Sequence, residues 1–124
     1  MPTRIHVIHA SEFVRARPEG YVDMTTSTRI LDELVQASAG LSGHNIILDT
    51  RRAHVDVSAV ELWSLAQKLA DVREGFAHKT AVLCPAERFD RARFFSLCAV
   101  ASGLKVRPFT SYEDAMEWLI SREA

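Results

Sequence analysis

Two short runs constrain this chain more than anything else in it: "NIILD" at 45–49 and "TAVLC" at 80–84. Each strings apolar residues together without polar alternation, which suits a strand covered on both faces, as in a parallel sheet. Parallel neighbours need a crossover, and the segment between the runs carries a helical pattern. It extends from about Ser58 to Glu74, with Ala59, Leu62, Trp63, Ala66, Leu69, Ala70 and Val72 as its apolar positions and Gly75 as its stop.

The same alternation continues on either side. "RIHVIHA" (Arg4 to Ala10) and "EFVRARPEG" (Glu12 to Gly20) read as an antiparallel hairpin. The second strand is expected to stop at Pro18-Glu19-Gly20, since proline has no ladder donor and Glu-Gly suits a turn. A helix then follows the cluster Thr25 to Thr28, whose hydroxyls are expected to cap it. Ile30, Leu31, Leu34 and Val35 share its apolar face, and Gly40 closes it. Beyond the second apolar run, "AERFDRARFFSLCAVASG" is a helix closed by Gly103, and "KVRPFT" is a last strand whose Pro108 places it at a sheet edge or strand end. "SYEDAMEWLISR" is a final helix anchored by Trp118 and Leu119, with Thr110–Glu113 and Ser111–Asp114 as candidate caps.

The order ββαβαβαβα, with right-handed crossovers, predicts an α/β fold: one mixed, mostly parallel sheet of about five strands with helices packed on it. The four helices and the strands are expected to form one domain over residues 1–124.

Acidic and basic residues nearly cancel, and a net charge of -1 gives no long-range attraction to nucleic acid or anionic membrane. Arg15, Arg17, Arg51 and Arg52 are the residues able to form a local basic patch. No apolar run approaches the ~18 residues of a membrane span. The opening "MPTRIHVIHASEF" lacks the apolar core of a signal peptide, and Cys84 and Cys98 sit in apolar surroundings as reduced core thiols. A cytoplasmic protein is expected.

Chemistry in open α/β sheets gathers beyond the carboxyl ends of the strands, which here means Asp49, Thr50 and Arg51, then Cys84 and Pro85, then Thr110 and Ser111. The glycines of "AGLSGHNIILD" precede their strand, so they build no phosphate cradle. A cysteine-based phosphate cradle at Cys84 would need an arginine where this chain has Asp90. His6, His9, His44, His54 and His78 show no chelating spacing, so no metal and no cofactor are expected. Ser58 with His54 and Asp49 or Asp56 offers a small serine hydrolase as one alternative, but no glycine-flanked nucleophile elbow is present. Ser58-Ala59-Val60-Glu61 also reads as a capping box, an arrangement that stabilises a helix start by about 1 kcal/mol.

The stretch "NIILDTRRAHVDVSAVELWSL" resembles the central motif of STAS domains, the family of anti-sigma-factor antagonists and of the cytoplasmic tails of sulfate transporters. Asp49 matches that family's strand-end aspartate, Asp56 the motif aspartate, and Ser58 the serine that partner kinases phosphorylate. Val57 and Ala59 stand where the motif has serine and glycine. "GLKVRPFTSYEDAMEWL" is similar to the STAS tail, and "ERFDRARFFSLCAVASG" is similar to SpoIIAA-like relatives, a fold class shared with CRAL-TRIO-type lipid-transfer proteins.

This resemblance implies a STAS/SpoIIAA-like fold and a non-catalytic regulatory module. A protein partner, of kinase or regulator type, would then dock around the loop 50–58 and the following helix. Asp49, Thr50, Arg51, His54, Asp56 and Ser58 would be its contact residues, and Ser58 its phosphorylation site. The alternative it implies is a small apolar molecule or lipid held between helices and sheet by Trp63, Phe89, Phe94, Phe95 and Met116. Homodimerisation through the edge of the first strand is a further expectation.

Overall fold

The computed structural model describes residues 4–9, 13–38, 45–71 and 79–121. The two apolar runs become β3 (Asn45–Asp49) and β5 (Thr80–Leu83), parallel neighbours with Ile46 opposite Thr80 and Asp49 opposite Leu83. Successive side chains of a strand point to opposite faces. Accordingly Ile46 and Val82 enter one apolar core, whereas Ile47, Ala81 and Leu83 enter another. Both faces are covered, which is why neither run can alternate. Burial of side chains such as Ile46 and Ile47 is worth roughly 1.5–3 kcal/mol each.

The larger core joins the sheet to α1 (Met24–Ser38), α2 (Ala59–Asp71) and α3 (Phe89–Ala101) through Ile30, Leu34, Leu65, Leu69, Phe95 and Ala99. The smaller core packs α4 (Tyr112–Ile120) on the opposite face through Ala115, Trp118 and Leu119. The remaining strands are β1 (Arg4–His9), β2 (Phe13–Val22), β4 (Ala53–Val55) and β6 (Val106–Phe109). The sheet runs β1-β2-β3-β5-β6, with β4 paired beside β2. Among the described residues only β1 and β2 are antiparallel; the other pairings are parallel. No helix among the described residues is long and apolar enough to cross a membrane.

Three expectations need correction. First, β2 does not stop at Pro18 but continues to Val22. Its pairing with β3 ends at Ala16 and its pairing with β4 begins at Gly20, so Pro18 falls where that side of the strand has no partner and the missing donor is not needed. Gly20, at φ 91°, takes the left-handed backbone where the partner changes. Second, β4 lies inside the segment read as a loop, because three residues are too few to show a period. Third, Asp23 caps α1: its Oδ1 accepts from the Thr26 amide at 2.9 Å, which places the Thr/Ser cluster within the first turns of the helix.

Other punctuation follows the sequence. Gly103, at φ 92°, ends α3, with the Gly103 amide donating to Val100 O and the Leu104 amide to Ala99 O, both at 3.0 Å. A single 3-10 turn at Ala86–Arg88 leads into α3. Of the two cap candidates for α4, Ser111 is the one at the N-cap, accepting from the Asp114 amide at 3.3 Å. The expected helix stops Gly40 and Gly75, together with His44 and His78, lie outside the described residues.

Candidate functional site

The carboxyl ends of β2, β3 and β5 carry a loop that is tied down from several directions. At the end of β3, Asp49 is buried at 1% exposure. Arg51 donates to it twice, Nε to Oδ1 and Nη2 to Oδ2, each at 2.9 Å, and its amide also donates to Oδ1. Arg15 of β2 approaches Oδ2 at 3.5 Å and places its guanidinium over the Tyr112 ring. Burial alone would raise the Asp49 carboxyl, but the Arg51 hydrogen bonds, with the charges of Arg51 and Arg15, hold it below its usual range. Arg52 pairs instead with Glu19 at 3.3 Å.

Thr50 follows. Its amide and its hydroxyl both donate to Leu83 O of β5, at 2.8 and 2.7 Å. Its own carbonyl accepts from Arg88 Nη2 at 2.7 Å, and the Val57 carbonyl accepts from Arg91 Nη1. Two arginines at the start of α3 therefore hold the two ends of the loop. Neither was recognised from the sequence, because contacts across more than thirty positions leave no local signal.

Between these anchors, β4 lies against the end of β2, and the Asp56 amide donates to Val22 O at 2.8 Å. The Tyr21 hydroxyl donates to Asp56 Oδ2 at 2.6 Å, and the Tyr21 and His54 rings stack with centroids 5.8 Å apart. The hydrogen bond to the Asp56 carboxylate raises the Tyr21 phenol above its ordinary value. Val57 turns inward, 2% exposed, and Ser58 stands outside at the tip of α2. The capping box is formed: the Glu61 amide donates to Ser58 Oγ at 3.2 Å, and the Ser58 amide donates to Glu61 Oε1 at 3.0 Å. Just beyond it, Val60 and Trp63 are 76% and 53% exposed on the first turns of α2.

The serine-hydrolase geometry is not assembled. No hydrogen bond joins His54 to Ser58, Asp56 or Asp49: His54 is stacked on Tyr21, Asp56 accepts from that same tyrosine, and Asp49 is held by arginines. Among the described residues no three His, Cys, Asp or Glu side chains converge to hold a metal ion. Cys84 is buried, its thiol donates to Phe109 O at 3.6 Å, and burial pushes its pKa up.

The five expected pocket residues are dispersed. A cavity of about 110 Å³ does lie between the sheet and α1–α3, but of the five only Phe95 lines it. Trp63 and Phe94 are exposed and Phe89 is half-buried. Met116 packs on the other face of the sheet beside Trp118, because α4 is the helix that crosses over. The cavity wall is instead formed by aliphatic residues such as Val22, Ile30, Leu48 and Leu62, with Arg88 of the 3-10 turn and Arg91 of α3.

No family model matches the sequence, and no curated protein does. Solved structures do match in shape. An anti-sigma factor antagonist from Mycobacterium paratuberculosis superposes with a TM-score of 0.65 at 16% identity, over 97% of this chain and 96% of that one. An uncharacterised Shewanella loihica protein with a SpoIIAA-like fold gives 0.61 at 15% identity, over 94% and 93% of the two chains. The phosphorylated form of the Bacillus cell-fate determinant SpoIIAA gives 0.56 at 18% identity, over 94% and 98%. The fold of this chain is SpoIIAA-like, as the resemblance implied.

Proposed function

We propose that this chain is a non-catalytic regulatory module of the STAS type, docking a protein partner over the loop 50–58 and the first turns of α2. The reading rests on one juxtaposition: the exposed Ser58 hydroxyl at the tip of α2 lies directly before the exposed apolar side chains of Val60 and Trp63. Large apolar groups beside a rigid polar rim are the usual material of an interface core. The rim is rigid because Arg51, Arg88, Arg91 and Tyr21 each fix one part of the loop. The SpoIIAA-like fold supports the same reading, and SpoIIAA itself is known in unphosphorylated and phosphorylated forms.

Ser58 is the charge-sensitive point of this surface. A phosphate there adds about −1.5 to −2 charges at a helix N-terminus, where free amides and the helix dipole accept it. Asp56 and Glu61 flank the site, so the added charge makes a concentrated anionic tip that repels a partner docked over it. Replacing both Val60 and Trp63 by serine tests the surface without touching the cap. Loss of captured partner from a folded double variant is expected, and unchanged capture would refute the surface.

A further inference from the structure

The cavity between the sheet and α1–α3 has one feature that packing does not explain. Arg88 lines it, and its Nη1 is buried with no hydrogen-bond partner, while Nη2 is committed to the Thr50 carbonyl. Of the other polar groups of the wall, Thr50 Oγ1 is engaged with Leu83 O, the Cys84 thiol with Phe109 O and Arg91 with Val57 O, and the buried Ser27 is the remaining polar residue there. No salt bridge to Arg88 exists among the described residues. A buried guanidinium N–H with no acceptor is costly, and a charged acceptor satisfies it best. Apart from these residues the wall is aliphatic and aromatic.

We propose that this cavity binds a short apolar carboxylate, its tail among Val22, Leu48, Leu62 and Phe95 and its carboxylate accepting from Arg88 Nη1. The volume sets the length. An apolar cavity of about 150 Å³ holds benzene, so this one suits a tail of about four carbons. The volume itself is about 110 Å³. Because Arg88 also holds Thr50, an occupant would brace the start of the loop from below. The site stands independently of the docking surface, since its occupancy is read with no partner present.

Methyl NMR titration of the full chain tests it with three probes: 3-methylbutanoate, its neutral amide, and acetate. Saturable shifts of the Leu31, Val57 and Leu62 methyls are expected with 3-methylbutanoate, and at least ~10-fold weaker binding of both the amide, which lacks the charge, and acetate, which lacks the tail. Arg88→Met should erase the preference for carboxylate over amide. Ala92→Leu, which fills the space and leaves Arg88 in place, should abolish the shifts in a protein that stays folded by circular dichroism. Absence of saturable shifts at these methyls would mean that water alone satisfies Nη1 and would overturn the proposal. Equal binding of acid and amide, or of acetate and 3-methylbutanoate, would overturn it as well. Should Arg88→Met fail to fold, the probe series and Ala92→Leu decide the matter.

Discussion

Arg51 grips Asp49 through two parallel hydrogen bonds of 2.9 Å, at the point where β3 gives way to the loop. The carboxylate is 1% exposed, so the pair fixes the first turn of the loop to the sheet. Asp49→Asn keeps the shape and loses the charge. It is expected to cost about 1–2 kcal/mol in urea unfolding at pH 7, less than a fully buried pair would, because Arg51 is partly screened by solvent.

The same carboxylate sets an acid limit. Its folded pKa lies below its unfolded value, so its contribution is complete above the unfolded pKa of about 3.9 and is lost as pH falls through the folded one. Asp23, depressed by its hydrogen bonds to Thr26, acts in the same direction. Urea midpoints should therefore drop below about pH 4. The drop should be shallower in Asp49→Asn and shallower still when Asp23→Asn is added.

Ser58 has two roles that substitutions can separate. Ser58→Ala removes the oxygen that accepts from the Glu61 amide, and a loss of about 1 kcal/mol is expected in chemical denaturation. Ser58→Asp retains a good N-cap, so its stability should stay within about 0.5 kcal/mol of wild type.

Lys79 is a buried C-terminal clamp that the sequence does not announce. Its ammonium donates to Trp118 O and Ser121 O, both at 2.7 Å, and to Ser121 Oγ at 3.0 Å, closing the end of α4. Lys79→Met keeps the stem and removes the donors. A loss of roughly 2–3 kcal/mol is expected, with hydrogen exchange accelerated first in α4.

Tyr21 reports the set of the loop. Its phenol should titrate above the ordinary value in an NMR pH series, and Asp56→Asn should bring it back toward that value, since the Asp56 hydrogen bond is the main cause. Tyr21→Phe should leave global stability within about 0.5 kcal/mol while speeding exchange at residues 54–56.

What was legible in the sequence is what neighbouring residues dictate. The unbroken runs at β3 and β5 gave the buried parallel pair, and Ser58 with Glu61 gave the start of α2. Gly103 gave the end of α3. What was not legible depends on distant partners. Pro18 looked like a terminator because the change of partner from β3 to β4 is a property of the sheet. Arg88, Arg91 and Lys79 carry no local signal of their roles, because the backbone carbonyls that they reach lie more than thirty positions away. The pocket residues that the resemblance implied are scattered for the same reason, Met116 belonging to the helix on the other face of the sheet.

The most direct test compares the proteins captured from cells of the native organism by immobilised wild type, Ser58→Ala and Ser58→Asp, each confirmed folded. A partner held by wild type and Ser58→Ala and released by Ser58→Asp is the expected result. Retention of every wild-type partner by Ser58→Asp would contradict the assignment of this loop as a charge-controlled docking surface.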